Sequence, residues 1–169
     1  MEYLFVRQFA RSLKSLDAIL AKAQKHAETR KFDPDNYFGL RLFPDMLPFS
    51  AQVRIACDTA KATAANLSGK EAPKHEDNEK TFAELRARIA KCLAYLDTFT
   101  EADFANAKPD ALIKFPNRPG KAMRAREYLI TRQVPNFYFH VTTAYDLLRS
   151  NGVELGKSDY LEPLNYVDV

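Results

Sequence analysis

The chain lacks the features that mark secreted, membrane-bound and disulfide-stapled proteins. Its two cysteines, Cys57 and Cys92, are not spaced as a metal clip or a CxxC motif, so we interpret both as reduced, buried residues. No apolar run approaches the roughly 18–20 residues that a membrane-spanning helix needs. Charges are scattered through the first residues, which is unlike a secretory signal. We therefore expect a cytoplasmic protein without a membrane partner.

Glycine and net charge are also low. Five glycines in 169 residues, together with many Ala, Leu, Lys, Arg and Glu, favour helices. The formal net charge is only +3, whereas nucleic-acid binding usually requires a clustered basic face. The densest basic segment, RPGKAMRAR at 118–126, has no interleaved residues that could stack on bases. We interpret this segment as a solvated surface and expect no nucleic-acid partner.

Common catalytic motifs are missing too. The sequence contains no GxSxG elbow, no glycine-rich phosphate loop and no HExxH pair, which would announce a hydrolase, a nucleotide-binding enzyme or a metalloprotease. A cysteine nucleophile would require an adjacent base, and a pair between Cys57 and His140 is the one arrangement that we keep open. The sequence leaves enzymatic activity undecided and leans against it.

Hydrophobic periodicity predicts four amphipathic helices in a single domain of residues 1–169. In the first helix, apolar residues from Phe5 to Ala23 recur at steps of three and four. The connection 32–46 is unusually apolar and should fold back over one end of the bundle. ALIKF at 111–115 favours a short extended segment or hairpin. The predicted helices cover 3–27, 48–68, 81–99 and 124–150, and the predicted surface tail covers 151–169.

Local signals set the ends of these helices. Pro48 suits the first turn of the second helix, and Gly69 suits its end. Thr81 and Glu84 have the spacing of a reciprocal capping box at the start of the third helix. Pro135 lies inside the fourth helix, where it removes a backbone hydrogen bond and predicts a kink.

The fourth helix also carries the most informative polar residues. His140 lies in an aromatic and apolar stretch, and Asn136 precedes it by four residues, so both share one helix face. The pair either forms a hydrogen-bonded core network or helps to hold a small polar or anionic ligand. Neither His26, at the end of the first helix, nor His75, in a charged loop, is placed to join them. Aromatic residues around the pair would wall such a pocket: Phe49, Phe137, Phe139 and Tyr145.

Three segments resemble a bacterial family defined only as domain of unknown function number nineteen ninety-three. They are PDMLPFSAQV at 44–53, EKTFAELRARI at 79–89 and PNFYFHVTTAYDLLRSNGVELGK at 135–157. That family is grouped with the DinB/YfiT-like superfamily, whose members are regarded as metal-dependent enzymes. The resemblance implies an all-α, DinB-like four-helix bundle and a homodimer, without implying an established activity.

DinB-like proteins hold a divalent metal with three histidines, one on the second helix and two in an HxxxH arrangement on the last. Matched onto this chain, the second histidine of that pair falls on His140 and the first on Asn136. The second-helix position falls best on Gln52, with Asp45 and Asp58 nearby. Zinc, nickel and iron prefer imidazole to a carboxamide, so the resemblance implies a degenerate metal site and no firm cofactor.

Three hypotheses follow for function. The leading one is a cytoplasmic, DinB-like protein with a degenerate metal site that binds a small ligand or acts as a dimeric interaction protein. The second is a divalent-metal-dependent transferase or hydrolase with His140 as a ligand and Asp45 or Asp58 as a helper. The third is a structural or stress-related dimer without a ligand. The predicted ligand pocket consists of His140, Asn136, Gln52, Tyr145 and Phe137.

Overall fold

Four long helices pack around a shared apolar core in this computed structural model, which describes residues 1–115, 117–161, 164 and 166–168. This architecture confirms the all-α bundle expected from the periodicity. None of the described helices is long and apolar enough to cross a membrane. The helices are α1 (Glu2–Arg30), α2 (Phe49–Ser68), α3 (Phe82–Leu96), α4 (Ala125–Glu127), α5 (Val134–Ser150) and α6 (Lys157–Leu161), and the strands are β1 (Leu112–Lys114) and β2 (Ala122–Arg124).

Large side chains from all four long helices meet in the core. The ring of Phe9 on α1 stacks on that of Phe137 on α5, with centroids 4.2 Å apart. Phe49 on α2 and Phe82 on α3 stack at 5.8 Å. The apolar stripe predicted for α1 is confirmed from Phe9 to Ala23. The following residues of the stripe are fully buried: Phe9, Leu13, Leu16, Leu20 and Ala23.

The helix ends follow their local signals closely. Glu84 N–H donates to Thr81 Oγ1 at 3.2 Å, and Thr81 N–H donates to Glu84 Oε2 at 3.0 Å, which confirms the capping box. Gly69 ends α2 with a φ of 79°. The third helix ends at Leu96 rather than at Phe99. The first continues past its predicted end to Arg30, because three more polar residues complete another turn.

The fourth predicted helix is continuous but irregular. Between α4 and α5 the chain forms a π-helical segment, Tyr128–Gln133, and Pro135 lies in the first turn of α5. The sequence predicts a kink at Pro135. The structure shows instead an inserted wide turn just before the proline, and such a turn is one of the usual causes of an irregular helix.

A short antiparallel hairpin precedes this helix, as the pattern of residues 100–125 predicts. In its register, Leu112 lies opposite Arg124 and Lys114 lies opposite Ala122. The base of the hairpin is closed by a hydrogen bond of 2.8 Å from Ala125 N–H to Ala111 O. The hairpin therefore leads directly into α4.

The C-terminal segment contains structure that periodicity does not reveal. The prediction of a tail without helix is wrong for Lys157–Leu161, which form α6. Asp159 forms an ion pair with Lys22 of α1 at 2.6 Å, and the Tyr160 hydroxyl hydrogen-bonds Thr142 at 2.9 Å. Five residues are too few to show a stripe. The rest of the predicted tail lies partly outside the described residues.

The connection before α2 folds back over the bundle only in part. Tyr37 is buried, and Phe38 and Leu40 are half-buried against the core. The prediction is wrong for Leu42 and Phe43, which are exposed. This segment therefore covers one bundle end with its first half and presents an apolar surface with its second.

Candidate functional site

His140 of α5 and Gln52 of α2 face each other across the helix pair. The imidazole Nδ1 lies 2.7 Å from Gln52 Oε1. Gln52 Nε2 donates a hydrogen bond of 2.9 Å to the backbone oxygen of Leu47, just before α2 begins. Only 7% of His140 and 1% of Gln52 are exposed. The three groups form a chain from the loop before α2 to the imidazole.

This chain determines where the imidazole proton lies. A carbonyl oxygen can only accept, so the amide nitrogen of Gln52 must face Leu47 and the amide oxygen must face His140. Nδ1 is then the donor, and the neutral ring leaves its lone pair on Nε2. Burial lowers the pKa of His140, because a charged ring loses hydration there. His140 is therefore a neutral imidazole of defined tautomer at pH 7.

The Nε2 atom of His140 is unpaired and not completely buried. No hydrogen bond joins it to any described residue, and it is not among the buried side-chain atoms that lack a partner. The ring of Phe139 stands edge-on to the imidazole at 5.2 Å between centroids and is 54% exposed. The imidazole thus offers an unpaired acceptor beside an exposed apolar side chain.

Asn136 faces α2 as well but has a different partner. Its Nδ2 donates to Thr59 Oγ1 at 2.8 Å. One turn earlier, Gln133 Nε2 donates to Thr63 Oγ1 at 3.1 Å. Together with His140, these residues form a polar ladder along the antiparallel α2–α5 contact. Such a ladder fixes how the two helices align.

The other predicted pocket residues contact different parts of the bundle. Phe137 is fully buried and stacks on Phe9 of α1. Tyr145 is half-buried, with its ring edge-on to Tyr160 of α6 at 5.9 Å. The structure therefore brings Gln52 to His140, places Asn136 one turn away, and places Phe137 and Tyr145 against other elements.

The donor set does not fit a transition-metal site. Asp58 forms ion pairs with Lys61 and Arg88, at 2.8 and 2.9 Å, and Asp45 is exposed in the loop before α2. Within the described ranges, no three His, Cys, Asp or Glu side chains come close enough to hold a metal ion. The amide oxygen of Gln52 already accepts from His140. Zinc sites usually have three or four His, Cys or carboxylate ligands.

Comparison with known proteins matches this architecture. A family model described as Domain of unknown function (DUF1993) matches residues 3–161. The chain belongs to the DUF1993 family. It is similar to the crystal structure of a DinB family member protein from Shewanella denitrificans, with 49% sequence identity and a TM-score of 0.92, covering 97% of this chain and 93% of that one. No curated protein matches the chain.

A second polar centre of this DUF1993 protein lies between α2 and α3. The guanidinium of Arg88, whose side chain is 2% exposed, contacts Glu79 at 2.7 Å, Asp77 at 2.8 Å and Asp58 at 2.9 Å. These contacts fasten the loop 70–80 to the bundle. The periodicity of α3 contains the signal for this centre, because Arg88 falls on the same face as the core residues Leu85 and Ile89.

His75 of the same loop completes this polar centre. Its Nδ1 lies 3.3 Å from Lys61 Nζ, so the neutral ring accepts a hydrogen bond from the ammonium. Burial, followed by the charges of Lys61 and Arg88, lowers the pKa of His75. Of the cluster formed by Arg88, its carboxylates, Lys61 and His75, the predicted site residues include Asp58 alone, as a possible helper of a metal at His140. The loop 70–80 was expected to be only a charged surface.

The two cysteines form a buried contact of their own. Cys92 Sγ donates to Cys57 O at 3.3 Å, and both thiols are free. The hydrogen bond with Cys92 and burial raise the pKa of Cys57, so the unreactive thiol form is favoured. The structure places Cys57 against Cys92, whereas His140 bonds Gln52. The alternative of a Cys57–His140 catalytic pair has no support in this geometry.

Two surface clefts lie away from His140. One of about 730 Å³ lies between α1 and α6 and includes Ser15, whose buried Oγ has no hydrogen-bond partner. The other, of about 720 Å³, surrounds His26 at the end of α1. Neither cleft is lined by a residue of the α2–α5 ladder.

Proposed function

We propose that this DUF1993 protein binds a small molecule at His140. The observation that carries the proposal is the unpaired Nε2, not completely buried, of a neutral imidazole whose tautomer Gln52 fixes. Holding an imidazole in one tautomer with its acceptor outward is useful for recognising a hydrogen-bond donor. A purely structural role would require only the Nδ1 bond.

The chemistry of the site indicates the class of ligand. A lone pair accepts a hydrogen bond, so the ligand presents an N–H or O–H group. A carboxylate or phosphate would be repelled, because its oxygens and the Nε2 lone pair are both hydrogen-bond acceptors. Phe139 and Leu47 lie next to the site and are 54% and 49% exposed. They offer apolar contact area, so we propose a ligand with a neutral or cationic donor attached to an apolar group.

Three phenyl compounds that differ in one polar group test this proposal. Benzylamine presents a cationic donor, benzamide a neutral donor and benzoate an anion without a donor. The ring resonances of ¹⁵N-labelled histidine report tautomer and contact directly. We expect an Nδ1-protonated His140 whose Nε2 signal shifts with benzylamine and benzamide but not with benzoate. A shift with benzoate, or with none of the compounds, would contradict the proposal.

Variants connect the signal to the site. His140→Phe keeps an apolar ring and removes the acceptor, so binding of both donors should be lost. The control His26→Gln removes a histidine near the C-terminal end of α1, in a cleft that His140 does not line, and should leave binding unchanged. Loss of binding in both variants would mean that the probes bind elsewhere or that the fold is disturbed.

The same lone pair supports a second candidate, a divalent-metal-dependent transferase or hydrolase. A free Nε2 is also the atom that zinc, nickel or iron would take. The decisive measurement is the metal content of protein purified without a histidine tag, for wild type and His140→Ala. Stoichiometric metal in the wild type that is absent from the variant would favour the metal-dependent enzyme over the binding proposal. Lack of metal in both would exclude this candidate, and the titrations with benzylamine and benzamide then separate ligand binding from the third hypothesis, a structural protein without a ligand.

A further inference from the structure

The densest run of positive charge in the protein lies in one segment. Residues 108–115 and 117–132, which we name the basic hairpin, contain seven cations and two carboxylates. The segment therefore has a net charge of +5, and since the whole chain has +3, the remaining residues sum to −2. The cations are Lys108, Lys114, Arg118, Lys121, Arg124, Arg126 and Arg132, and the carboxylates are Asp110 and Glu127.

These cations are available to a partner. All seven are exposed. Arg124 forms an ion pair with Asp110 at 2.7 Å, with both side chains well exposed, and such a pair contributes little stability. Among the described residues, the side chains of the other cations, Arg132 apart, have no hydrogen-bond or carboxylate partner. An anion can therefore approach them without breaking a strong contact.

The hairpin presents two of these charges, Lys114 and Arg124, on one face. Lys114 lies on the same face as Leu112, two residues earlier, and Leu112 is directly opposite Arg124, so all three side chains share the outer face. Ile113 and Met123 face the bundle and are half-buried. Arg132 is held over the ring of Phe115, 4.9 Å from its centroid. The result is a two-stranded ribbon with an outward cationic face and an apolar inner face.

We propose that the basic hairpin binds the phosphate backbone of double-stranded nucleic acid without reading its sequence. From the sequence alone, residues 118–126 are interpreted as solvated surface, and the exposure and shared face of the cations now argue for a binding role. Four of the seven cations are arginines, which match phosphate oxygens in two-point contacts. A two-stranded ribbon fits the major groove of a duplex.

Other polyanions fit the hairpin less well. Single strands are usually held by exposed aromatic rings, but Phe115 is covered by Arg132. Binding to an acidic membrane needs a broad apolar surface next to the cations. Among the described residues of the hairpin, the large apolar side chains that are exposed are Leu112 and Ile130, and two side chains do not form such a surface. The duplex backbone requires only the cations and their spacing.

Fluorescence anisotropy with short labelled DNA and RNA duplexes of one sequence tests the proposal, using the full chain at several salt concentrations. We expect binding that weakens as salt rises. The triple variant Lys114→Gln, Arg118→Gln, Lys121→Gln should lower the slope of log affinity against log salt by about 2.7, at about 0.9 for each lost phosphate contact. The matched control, Lys14→Gln, Lys25→Gln, Arg30→Gln, makes the same charge change on α1 and should bind as wild type.

Each result decides the proposal. Selective loss in the hairpin variant, with circular dichroism unchanged, supports it for whichever duplex binds. Equal loss in the control would overturn it, because net charge alone would then explain binding. Binding to phosphatidylserine vesicles but to neither duplex would assign the hairpin to a membrane surface and also overturn it. Lack of binding to duplexes and vesicles at low salt would leave the hairpin as a solvated surface.

Discussion

At His140, burial and hydrogen bonding act on different atoms of one ring. Burial lowers the pKa, while Gln52 fixes the proton on Nδ1 through its own bond to Leu47. Each link of this chain depends on the next, because an amide that lost Leu47 could rotate and present its NH₂ group to the imidazole. The availability of the Nε2 lone pair therefore depends on the backbone oxygen of Leu47, which is connected to the imidazole through two hydrogen bonds.

This dependence predicts strong coupling between His140 and Gln52. Removing either partner leaves a buried polar group unpaired, which costs about 1–3 kcal/mol. We expect His140→Phe and Gln52→Leu each to lower the free energy of unfolding by about this amount. The double variant should lose clearly less than the sum, since both polar groups are then gone. Urea unfolding of all four proteins measures the coupling, and additive losses would show that the observed bond contributes no stability.

The lowered pKa values predict sensitivity to acid. His140 and His75 both have a pKa below 6.5 in the folded protein and the ordinary value when unfolded. As pH falls below about 6.5, the unfolded chain binds more protons, so the free energy of unfolding decreases. It should be nearly constant above about pH 7.5, begin to decrease between about pH 7.5 and 6.5, and fall more steeply towards pH 5.5.

Histidine variants assign this acid sensitivity. His140→Gln and His75→Gln should each reduce the drop in unfolding free energy between about pH 6.5 and pH 5.5, and the double variant should reduce it further. Urea unfolding at several pH values is the measurement. A drop of the same size in the double variant would attribute the acid sensitivity to carboxylates instead.

At the scale of elements, Arg88 is the residue that joins the loop 70–80 to the bundle. Its three carboxylates come from α2 and from the loop, so the guanidinium holds together groups that would otherwise repel one another. We expect Arg88→Met to lower the free energy of unfolding by about 1–3 kcal/mol, because Glu79, whose side chain is largely buried, loses its contact of 2.7 Å with the guanidinium. Hydrogen exchange in residues 74–80 should rise in the same variant.

Arg86 provides a matched control on the same helix. It forms a two-point contact with Asp17 of α1, at 2.8 and 2.9 Å, but this pair is partly exposed to solvent. Arg86→Met should cost about 1 kcal/mol or less. Equal losses in the two variants would mean that burial does not distinguish these ion pairs.

The elements that the sequence predicts are those with local signals. The stripe of α1, the Thr81–Glu84 cap and the glycine after α2 all follow from interactions within a few residues. The π-helical segment before Pro135 does not follow from such a signal. The proline predicts that one backbone hydrogen bond is missing, but it does not predict where an extra residue is inserted into the helix. Helix α6 is held by contacts to distant residues such as Lys22, which have no trace in its own five residues.

The candidate site divides in the same way. The shared helix face of Asn136 and His140 is predictable from their spacing, and Gln52 follows from family resemblance. Their separate partners depend on how α2 and α5 align, which no local pattern states. The sequence does not single out Arg88, because charged side chains usually lie at the surface, although its position falls on the apolar face of α3.

At the scale of the whole molecule, one apolar cluster extends from Val6 to Leu155 and includes residues of all four long helices. No described helix buries its face separately from the others. The prediction of a single domain therefore implies that secondary structure and core packing are lost together. The protein has eight tyrosines and no tryptophan, so tyrosine fluorescence reports packing across the bundle while circular dichroism reports helix.

We expect the urea transitions followed by tyrosine fluorescence and by circular dichroism at 222 nm to coincide, because small single domains usually unfold in one step. The predicted homodimer adds a condition, since dissociation makes the midpoint rise with protein concentration. One chain has a mass of 19.3 kDa, and light scattering should give twice that mass for the dimer. Separate transitions would divide the bundle into independent units. A monomeric mass with a midpoint independent of concentration would contradict the predicted dimer and leave Leu42, Phe43 and Phe139 exposed to solvent.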